Sequence, residues 1–580
     1  MEDSKNRKPI FQDYYTDEDY DDVLLQLPVI IKEAERKTGE LLEPTIHEKR
    51  QVMEEIKNFI KIKHRKIYGG TALNEAIKLV NPDDAFYDDF SFSDIEFYSI
   101  TPVPDLVELC NLLYKKGYKY VVANEAQHEE TYTVFVNFQI YCDITYVPAR
   151  VYNGIKTIMI DGINYVDPHF ALIDYLRMIN QPLTAATQRW EKAFKRMYLL
   201  LKNYPFEYFD KPIRIRKPSG EINLYIDKIK KDFMLDKVVQ GTCLIMGFEA
   251  YNFYIRHAMN DRTVEQMART TYNINKMGNM ITNVPYIEII SVSYRDTVER
   301  LYNFLKSVVN DPTQITFDEY FPLFQFTKYS VTINYQGNPI AKIYEGDGFC
   351  IPSVKTTKGY MYVSYQYLLM FMFINKFNAH LEKNKEIYFN HSIAISNLVS
   401  ARNIFLTKKN LGVINNSVFG EFRINCIGST TSYSREGRLR DIEKNKVGKK
   451  RFRYQPESFL NSSPEAQGKF DPSKYKFKNT SGNKIMIPKN LLFRFDDNRN
   501  LINEIHSDSE NEVNEVNEVN ENIESEQQRV PKETQLDPLT SITTSDVATS
   551  DLATSDLATS DLATSDIVSM NNSVSEQGIS

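Results

Sequence analysis

Apolar and polar positions change period repeatedly between residues 66 and 146, and each change predicts an element. The run KIYGGTALNEAIKL opens on a short apolar stretch, breaks at Gly69-Gly70, and then places Leu73, Ala76, Ile77 and Val80 at helical spacing. Strand, tight turn, helix is the expected order. FSFSDIEFYSI alternates instead, with Ile95 and Phe97 on one face and Asp94 and Glu96 on the other. QIYCDITYVP repeats that device: Ile140, Cys142 and Ile144 face inward and Asp143 faces the opposite way. Three carboxylates are thus expected on one side of a sheet, beside a glycine turn.

The remaining elements follow from the same periods. LLQLPVIIKEAERK and HEKRQVMEEIKNFIKIK, between Val23 and about Lys63, read as one broken and one continuous helix. PDLVELCNLLYKKGY is an amphipathic helix from near Pro104 to Gly117. Asp167-Pro168 places a capping side chain before a proline at the first helical position of ALIDYLRMI. The next helix, LTAATQRWEKAFKRMYLLLKNY, is expected to bury Trp190, Phe194, Met197 and Leu201. Arg189, Lys192, Lys195, Arg196 and Lys202 cover the rest; most of these read as a solvated face, with Lys192 and Arg196 as the binding candidates. FDKPIRIRKPSGE is a basic connector, a hinge or an RNA-contacting loop. Beyond it, YIEIISV reads as a strand, TVERLYNFLKSVV as a helix, and YSVTINYQGNPIAKIYE as a hairpin turning at Gly337-Asn338. The apolar run in SYQYLLMFMFINKFNAHL is too short to span a bilayer and reads as a buried helix. Here no second glycine turn followed by paired strand carboxylates is visible.

These readings divide the chain into an acidic, disordered N-terminus (1–22), a helical entry with the catalytic α/β domain (23–205), a basic linker (206–220), a second α/β domain (221–500) and a tail (501–580). The tail, with NEVNEVNEVNE and then repeated ATSDL, is low in complexity and expected to be disordered. It also changes the charge picture. The net charge of −7 argues against a nucleic-acid partner until the tail is set aside, since residues 501–580 hold 17 acids against only Arg529 and Lys532. The other 500 residues sum to +8, a mildly basic body able to hold a phosphate backbone. A basic arm, residues 435–453, carries nine bases against three acids, followed by Phe452, Tyr454 and Phe459. It reads equally as an RNA-tracking arm and as a solvated loop. With 42% hydrophobic residues in 580, the chain suffices for two or three cores. Five scattered cysteines (110, 142, 243, 350, 426) without CxxC spacing point to a reducing compartment and no structural zinc. The polar first residues carry no signal peptide, so a soluble protein is expected.

Carboxylates grouped in this way suit Mg²⁺, which takes oxygen ligands and is usually held by a few carboxylates plus substrate phosphates. Adjacent glycines at a helix N-terminus let a phosphate approach free N–H groups. Acid-x-acid recurs roughly ten times by chance in so acidic a chain, so the order of features carries the information, not Asp94-Ile95-Glu96 alone. The bland alternative is an α/β domain whose strands show acids to solvent.

YGGTALN, SDIEFYS, YCDITYVP and RWEKAFKRMYLLL, over roughly residues 60–205, resemble the nucleotidyltransferase fold of polymerase-β-like enzymes. In detail they resemble the poly(A) polymerase catalytic subunits of poxviruses and giant viruses. The interval between Gly70 and Asp94 is about twice that of the compact motif, and the excess, NPDDAFYDDFSF, brings Asp88 and Asp89 as rival metal ligands. The resemblance implies a mixed α/β fold with a nucleotidyltransferase domain, helical additions and a second, degenerate nucleotidyltransferase-like domain. It implies addition of AMP from ATP to RNA 3′ ends with Mg²⁺ or Mn²⁺ at Asp94, Glu96 and Asp143. Gly69, Gly70, Thr71, Lys192 and Arg196 would then bind the nucleotide. Also implied are an RNA 3′ end as partner, a homodimer or a separate processivity subunit, and residence in the host cytoplasm and virion. The rivals are a CCA-adding or nucleotide-cyclising enzyme and a catalytically dead RNA-binding scaffold.

Overall fold

The protein is described by a computed structural model covering residues 14–42, 44–87, 93–126, 128, 130–183, 187–259, 280–428, 431, 433–446, 451–458, 462–463, 493–495 and 501–502. The expectations for Asp88, Asp89, Phe459 and nearly all of the tail lie outside these residues. The first helices are α1 (Asp17–Leu41), α2 (Ile46–Ile62), α3 (Gly69–Val80), α4 (Pro102–Lys115), α5 (Ala149–Gly154), α6 (Pro168–Ile179) and α7 (Trp190–Asn203). Between them run β1 (Lys66–Tyr68), β2 (Ile95–Ser99), β3 (Val122–Glu125), β4 (Thr131–Val136), β5 (Gln139–Tyr146), β6 (Thr157–Ile160) and β7 (Ile163–Val166). The second half supplies β8 (Cys243–Met246), β9 (Ile287–Ser291), β10 (Ile315–Tyr320), β11 (Ser330–Tyr335), β12 (Asn338–Glu345), β13 (Cys350–Lys355), β14 (Met361–Val363) and β15 (Cys426–Gly428). Then come β16 (Arg453–Tyr454) and a small two-stranded sheet of β17 (Arg494–Phe495) and β18 (Leu501–Ile502).

Among the described residues β1 to β16 form two eight-stranded sheets that share seven strands of one topology, each with one further strand at opposite edges, β16 beside β3 and β15 beside β13. The first runs β16-β3-β4-β5-β2-β1-β7-β6 and the second β10-β11-β12-β9-β8-β14-β13-β15. Matching neighbours also match in direction: β2 is antiparallel to β1 and parallel to β5, and β9 is antiparallel to β8 and parallel to β12. β1 and β8 each lie parallel to the strand on their other side, β7 and β14. Each of β1 and β8 ends in a glycine with positive φ, Gly69 at 70° and Gly247 at 63°, that opens a helix. The second half is therefore a copy of the first, glycine turn included.

What the copy lacks is two of the three acids. Glu288 on β9 stands where Glu96 stands on β2, but Lys342 is its β12 partner where Asp143 is the partner of Glu96. Tyr286 falls two residues before Glu288, the place Asp94 has before Glu96. A Cβ on Gly247 would come 1.8 Å from Glu288 Oε2, and an L residue would also be held at unfavourable φ. Gly247→Ala is accordingly expected to cost roughly 1–3 kcal/mol from left-handed strain and displacement of a buried carboxylate. Urea denaturation checks this; an unchanged midpoint would contradict it.

Two cores support the sheets. Ile95, Phe97, Cys142 and Ile144 pack with α2 and α4, while Tyr98, α6 and α7 share the larger core with the second sheet. The helix Tyr365–Leu381 is apolar nearly all round and buried, as its sequence requires.

Several sequence expectations are corrected. α1 begins at Asp17, capped by Thr16 and Asp19, and continues through Pro28. Acids in its first turn stabilise that end rather than disorder it. The connector is pinned rather than hinged: Asn390 exchanges two hydrogen bonds with the backbone of Arg214, and Asn283 donates to the Ile215 carbonyl. The hairpin turns on Gln336-Gly337, both at positive φ, one residue earlier than expected. Phe452 and Tyr454 cannot stack bases, because β16 joins the edge of the first sheet and buries both. Cys350 and Cys426 form a disulfide across β13 and β15, leaving Cys110, Cys142 and Cys243 free and buried. Pairing of strands so far apart in sequence leaves no trace in cysteine spacing.

Candidate active site

The site starts from the turn. With Gly69 at φ 70°, α3 begins at once after β1 and its first N–H groups are left without helical partners. A Cβ on Gly69 would lie 1.7 Å from Glu96 Oε2, so glycine alone lets the turn and the carboxylate approach. The Gly70 N–H donates to Glu96 at 3.4 Å, and the Thr71 hydroxyl reaches the Asp94 carbonyl at 3.5 Å.

Parallel pairing of β2 and β5 sets Glu96 directly beside Asp143. Alternation turns Ile95 and Phe97 into the core, as the sequence requires. The same rule fails at Ile140, which is 52% exposed while Tyr141 is buried. The β4/β5 register shifts between Val134 and Phe135, and this bulge reverses the facing of residues nearer the hairpin tip without moving Cys142 or Asp143. Thr133, opposite Asp143 on β4, donates to its Oδ1 at 2.6 Å. Burial, then the charges of Asp94 and Asp143, push the Glu96 carboxyl up to about 7. Asp143 is also raised, mainly by burial and partly by Asp94, against the Thr133 bond. These three acids therefore feel one another.

Helix α7 brings the cations. Its buried line is Ala193, Met197 and Leu200; Phe194 is 42% exposed, a correction to the expected face. Trp190 and Phe194 instead lie beside Phe422 from the second half, at 5.9 and 5.5 Å between centroids. This rotation leaves Arg196 over the turn, where a Cβ on Gly70 would meet its guanidinium at 2.8 Å. Lys192 is lowered by burial and by Arg196, and raised by Asp94 and Glu96, so it too faces the cluster. Lys195 and Lys202 pair with Glu191 and Asp84.

Two contributors were not legible in the motifs. Asn74, 1% exposed on α3, accepts from the N–H groups of Phe86 and Tyr87. Tyr87 then reaches Arg196 and Ser93. The only signal was a buried polar residue at an apolar helix position.

The donor set is all oxygen and carries excess negative charge, which suits a hard divalent cation. As placed, Glu96 is turned to the Gly70 N–H and Asp143 to Thr133, and among the described residues no three acidic, histidine or cysteine side chains enclose an ion. The chemistry of the residues fits the cation.

Comparison with known proteins covers both halves. Residues 54–185 match the family described as "Poly(A) polymerase catalytic subunit", and residues 220–495 the family described as "APMV, Putative poly(A) polymerase, catalytic subunit, C-terminal". The "Putative poly(A) polymerase catalytic subunit" of Acanthamoeba polyphaga mimivirus is 60% identical over 518 residues, which span 87% of this chain and 89% of that one. The chain belongs to the poly(A) polymerase catalytic-subunit family. Another relative, the Megavirus polyadenylate synthase crystal structure, aligns with a TM-score of 0.81 at 62% identity, over 87% of this chain and 99% of that chain. A more distant poly(A) polymerase relative, from African swine fever virus (strain Badajoz 1971 Vero-adapted), is 28% identical over 158 residues, 26% of this chain and 33% of its own. The mixed α/β nucleotidyltransferase fold and the polynucleotide adenylyltransferase class follow from this membership, and the CCA-adding, cyclising and inert-scaffold readings gain nothing from it. No helix among the described residues is long and apolar enough to cross a membrane.

Proposed function

We propose that Asp94, Glu96 and Asp143 form the centre at which AMP is transferred from ATP to an RNA 3′ end. The observation that carries this reading is Glu96 set beside Asp143 and against the Gly69-Gly70 turn, its carboxyl pushed up to about 7 by burial and by the charges of Asp94 and Asp143. Asp94, Glu96 and Asp143 would hold Mg²⁺ or Mn²⁺, which when bound supplies Lewis acidity to the 3′-hydroxyl and to the leaving pyrophosphate.

The protein's own part is positioning and charge. N–H groups at the start of α3, which have no helical partners, and the Thr71 hydroxyl cradle the β- and γ-phosphates. Arg196 and Lys192 offset the charge that gathers on pyrophosphate as it leaves. Thr133 holds Asp143 in one orientation. No covalent enzyme intermediate is invoked, since the RNA hydroxyl is itself the nucleophile.

Primer extension tests the reading: each nucleoside triphosphate is supplied separately with an RNA primer and Mg²⁺ or Mn²⁺. AMP from ATP should be added to the primer repeatedly, with release of pyrophosphate. Turnover without primer would mark a cyclising enzyme, and addition of CTP ahead of ATP a CCA-adding one. The resemblance also implies a homodimer or a separate processivity subunit, distinguished by sedimentation of the full chain, and a place in the host cytoplasm and virion.

A further inference from the structure

The unusually long interval between Gly70 and Asp94 contains Tyr87, and Tyr87 sits at the centre of the site. Asn74 fixes its backbone, accepting the N–H of Phe86 at 2.9 Å and that of Tyr87 at 3.0 Å. Asn74 lies on α3, the helix whose N-terminus makes the glycine turn, so one helix anchors both the tyrosine and the turn. α7 braces the preceding residues, with Lys202 and Asn203 both donating to Asp84. The Arg196 guanidinium lies over the Phe86 and Tyr87 rings, at 5.1 and 5.6 Å from their centroids. A Cβ on Gly70 would strike the Tyr87 hydroxyl at 2.5 Å, which puts that hydroxyl directly above the turn.

The hydrogen bonds around this hydroxyl have only one possible direction. Arg196 Nη2 lies 2.5 Å from Tyr87 Oη, and a guanidinium donates but never accepts. The tyrosine proton is therefore left for Ser93 Oγ, 2.9 Å away. The serine proton in turn goes to Asp94, at 3.3 Å to Oδ1 and 3.4 Å to its carbonyl. A guanidinium that can only donate stands at one end, and the accepting oxygens of Asp94 stand at the other. Each bond in such a chain polarises the next.

We propose that Tyr87 is a positioning residue for adenylyl transfer, its hydroxyl linking the nucleotide-facing Arg196 through Ser93 to Asp94. This inference rests on the reading of Asp94 as a metal-holding carboxylate. Through the relay, a triphosphate that engages Arg196 and a cation that engages Asp94 are set in register before the RNA end arrives.

Tyr87→Phe keeps the ring, its packing against Arg196 and the Asn74 anchor, and removes only the relay. Partners that orient a metal-holding side chain typically matter roughly 10- to 100-fold, so kcat and apparent Mg²⁺ affinity should both fall within that range while the RNA KM stays unchanged. Ser93→Ala should do the same, and the double variant should be no worse than either single one, because one break already opens the chain. A Tyr87→Phe enzyme with normal kcat and Mg²⁺ dependence overturns the proposal. So do multiplicative losses in the double variant, or a defect confined to the ATP KM, which would mean direct contact with the nucleotide. Asp94→Asn serves as control: if it keeps full activity, the reading of the site itself fails, whereas an inactive Asp94→Asn beside a normal Tyr87→Phe removes the relay alone.

Discussion

Asp143→Asn is expected to abolish primer extension without unfolding the protein. The substitution keeps the shape and can still accept the Thr133 hydroxyl, which lies 2.6 Å from Oδ1. What it removes is one charge from a cluster proposed to neutralise a dication. The loss should reach roughly three orders of magnitude or more in kcat, since a transition-state charge contact alone is worth 10²–10³. RNA affinity should stay near the parent's, because phosphate contacts elsewhere supply it. Filter binding and single-turnover extension, run on one preparation, separate the two quantities. A variant that extends a primer normally would remove Asp143 from the chemistry.

Glu96→Gln should show the opposite signs for activity and stability. Burial and two neighbouring carboxylates raise Glu96 from 4.5 to about 7, so the ionised form is disfavoured in the folded state relative to the unfolded chain. Below 4.5 both states are protonated and no cost arises; between 4.5 and about 7 the cost builds, and above that it is constant. A rise of this size corresponds to something on the order of 3 kcal/mol at pH 8. In EDTA, Glu96→Gln should therefore unfold at a higher temperature than the parent at pH 8 and show no such gain at pH 4.5. It should also be inactive at both. Equal melting temperatures at pH 8 would mean that the cluster carries no electrostatic strain.

Much of this site was legible because it is local. A glycine turn, a period of two through Asp94 and Glu96, and a period of 3.6 from Leu73 to Val80 each need only neighbouring residues. The Asp167-Pro168 cap was legible for the same reason; Asp167 accepts from the N–H groups of His169 and Phe170. What stayed hidden depends on distant pairing. The bulge that turns Ile140 outward is fixed by β4, and β16 reaches β3 across more than three hundred residues of chain. The second α/β domain was expected, but its strand-for-strand likeness to the first was not legible in its residues, because its motif has lost two of its three acids. With Tyr286 and Lys342 in place of two carboxylates, only Gly247 and Glu288 remain, and one glycine before one acid is no signal in a sequence. There the Lys342 ammonium lowers the carboxyl of buried Glu288, though burial still leaves it at about 7. In the first sheet the position of Lys342 is taken by Asp143, so a third acid stands where the second sheet carries a lysine.

That difference leads to the most direct test. Mn²⁺ binding is followed by electron paramagnetic resonance in the presence of a non-hydrolysable ATP analogue. Intact protein is compared with Asp94→Asn, Glu96→Gln and Asp143→Asn. Nucleotide-dependent Mn²⁺ binding to the intact protein, weakened by each of the three substitutions, is the predicted result. Undiminished binding to all three variants would contradict the assignment of these acids as the metal-holding centre.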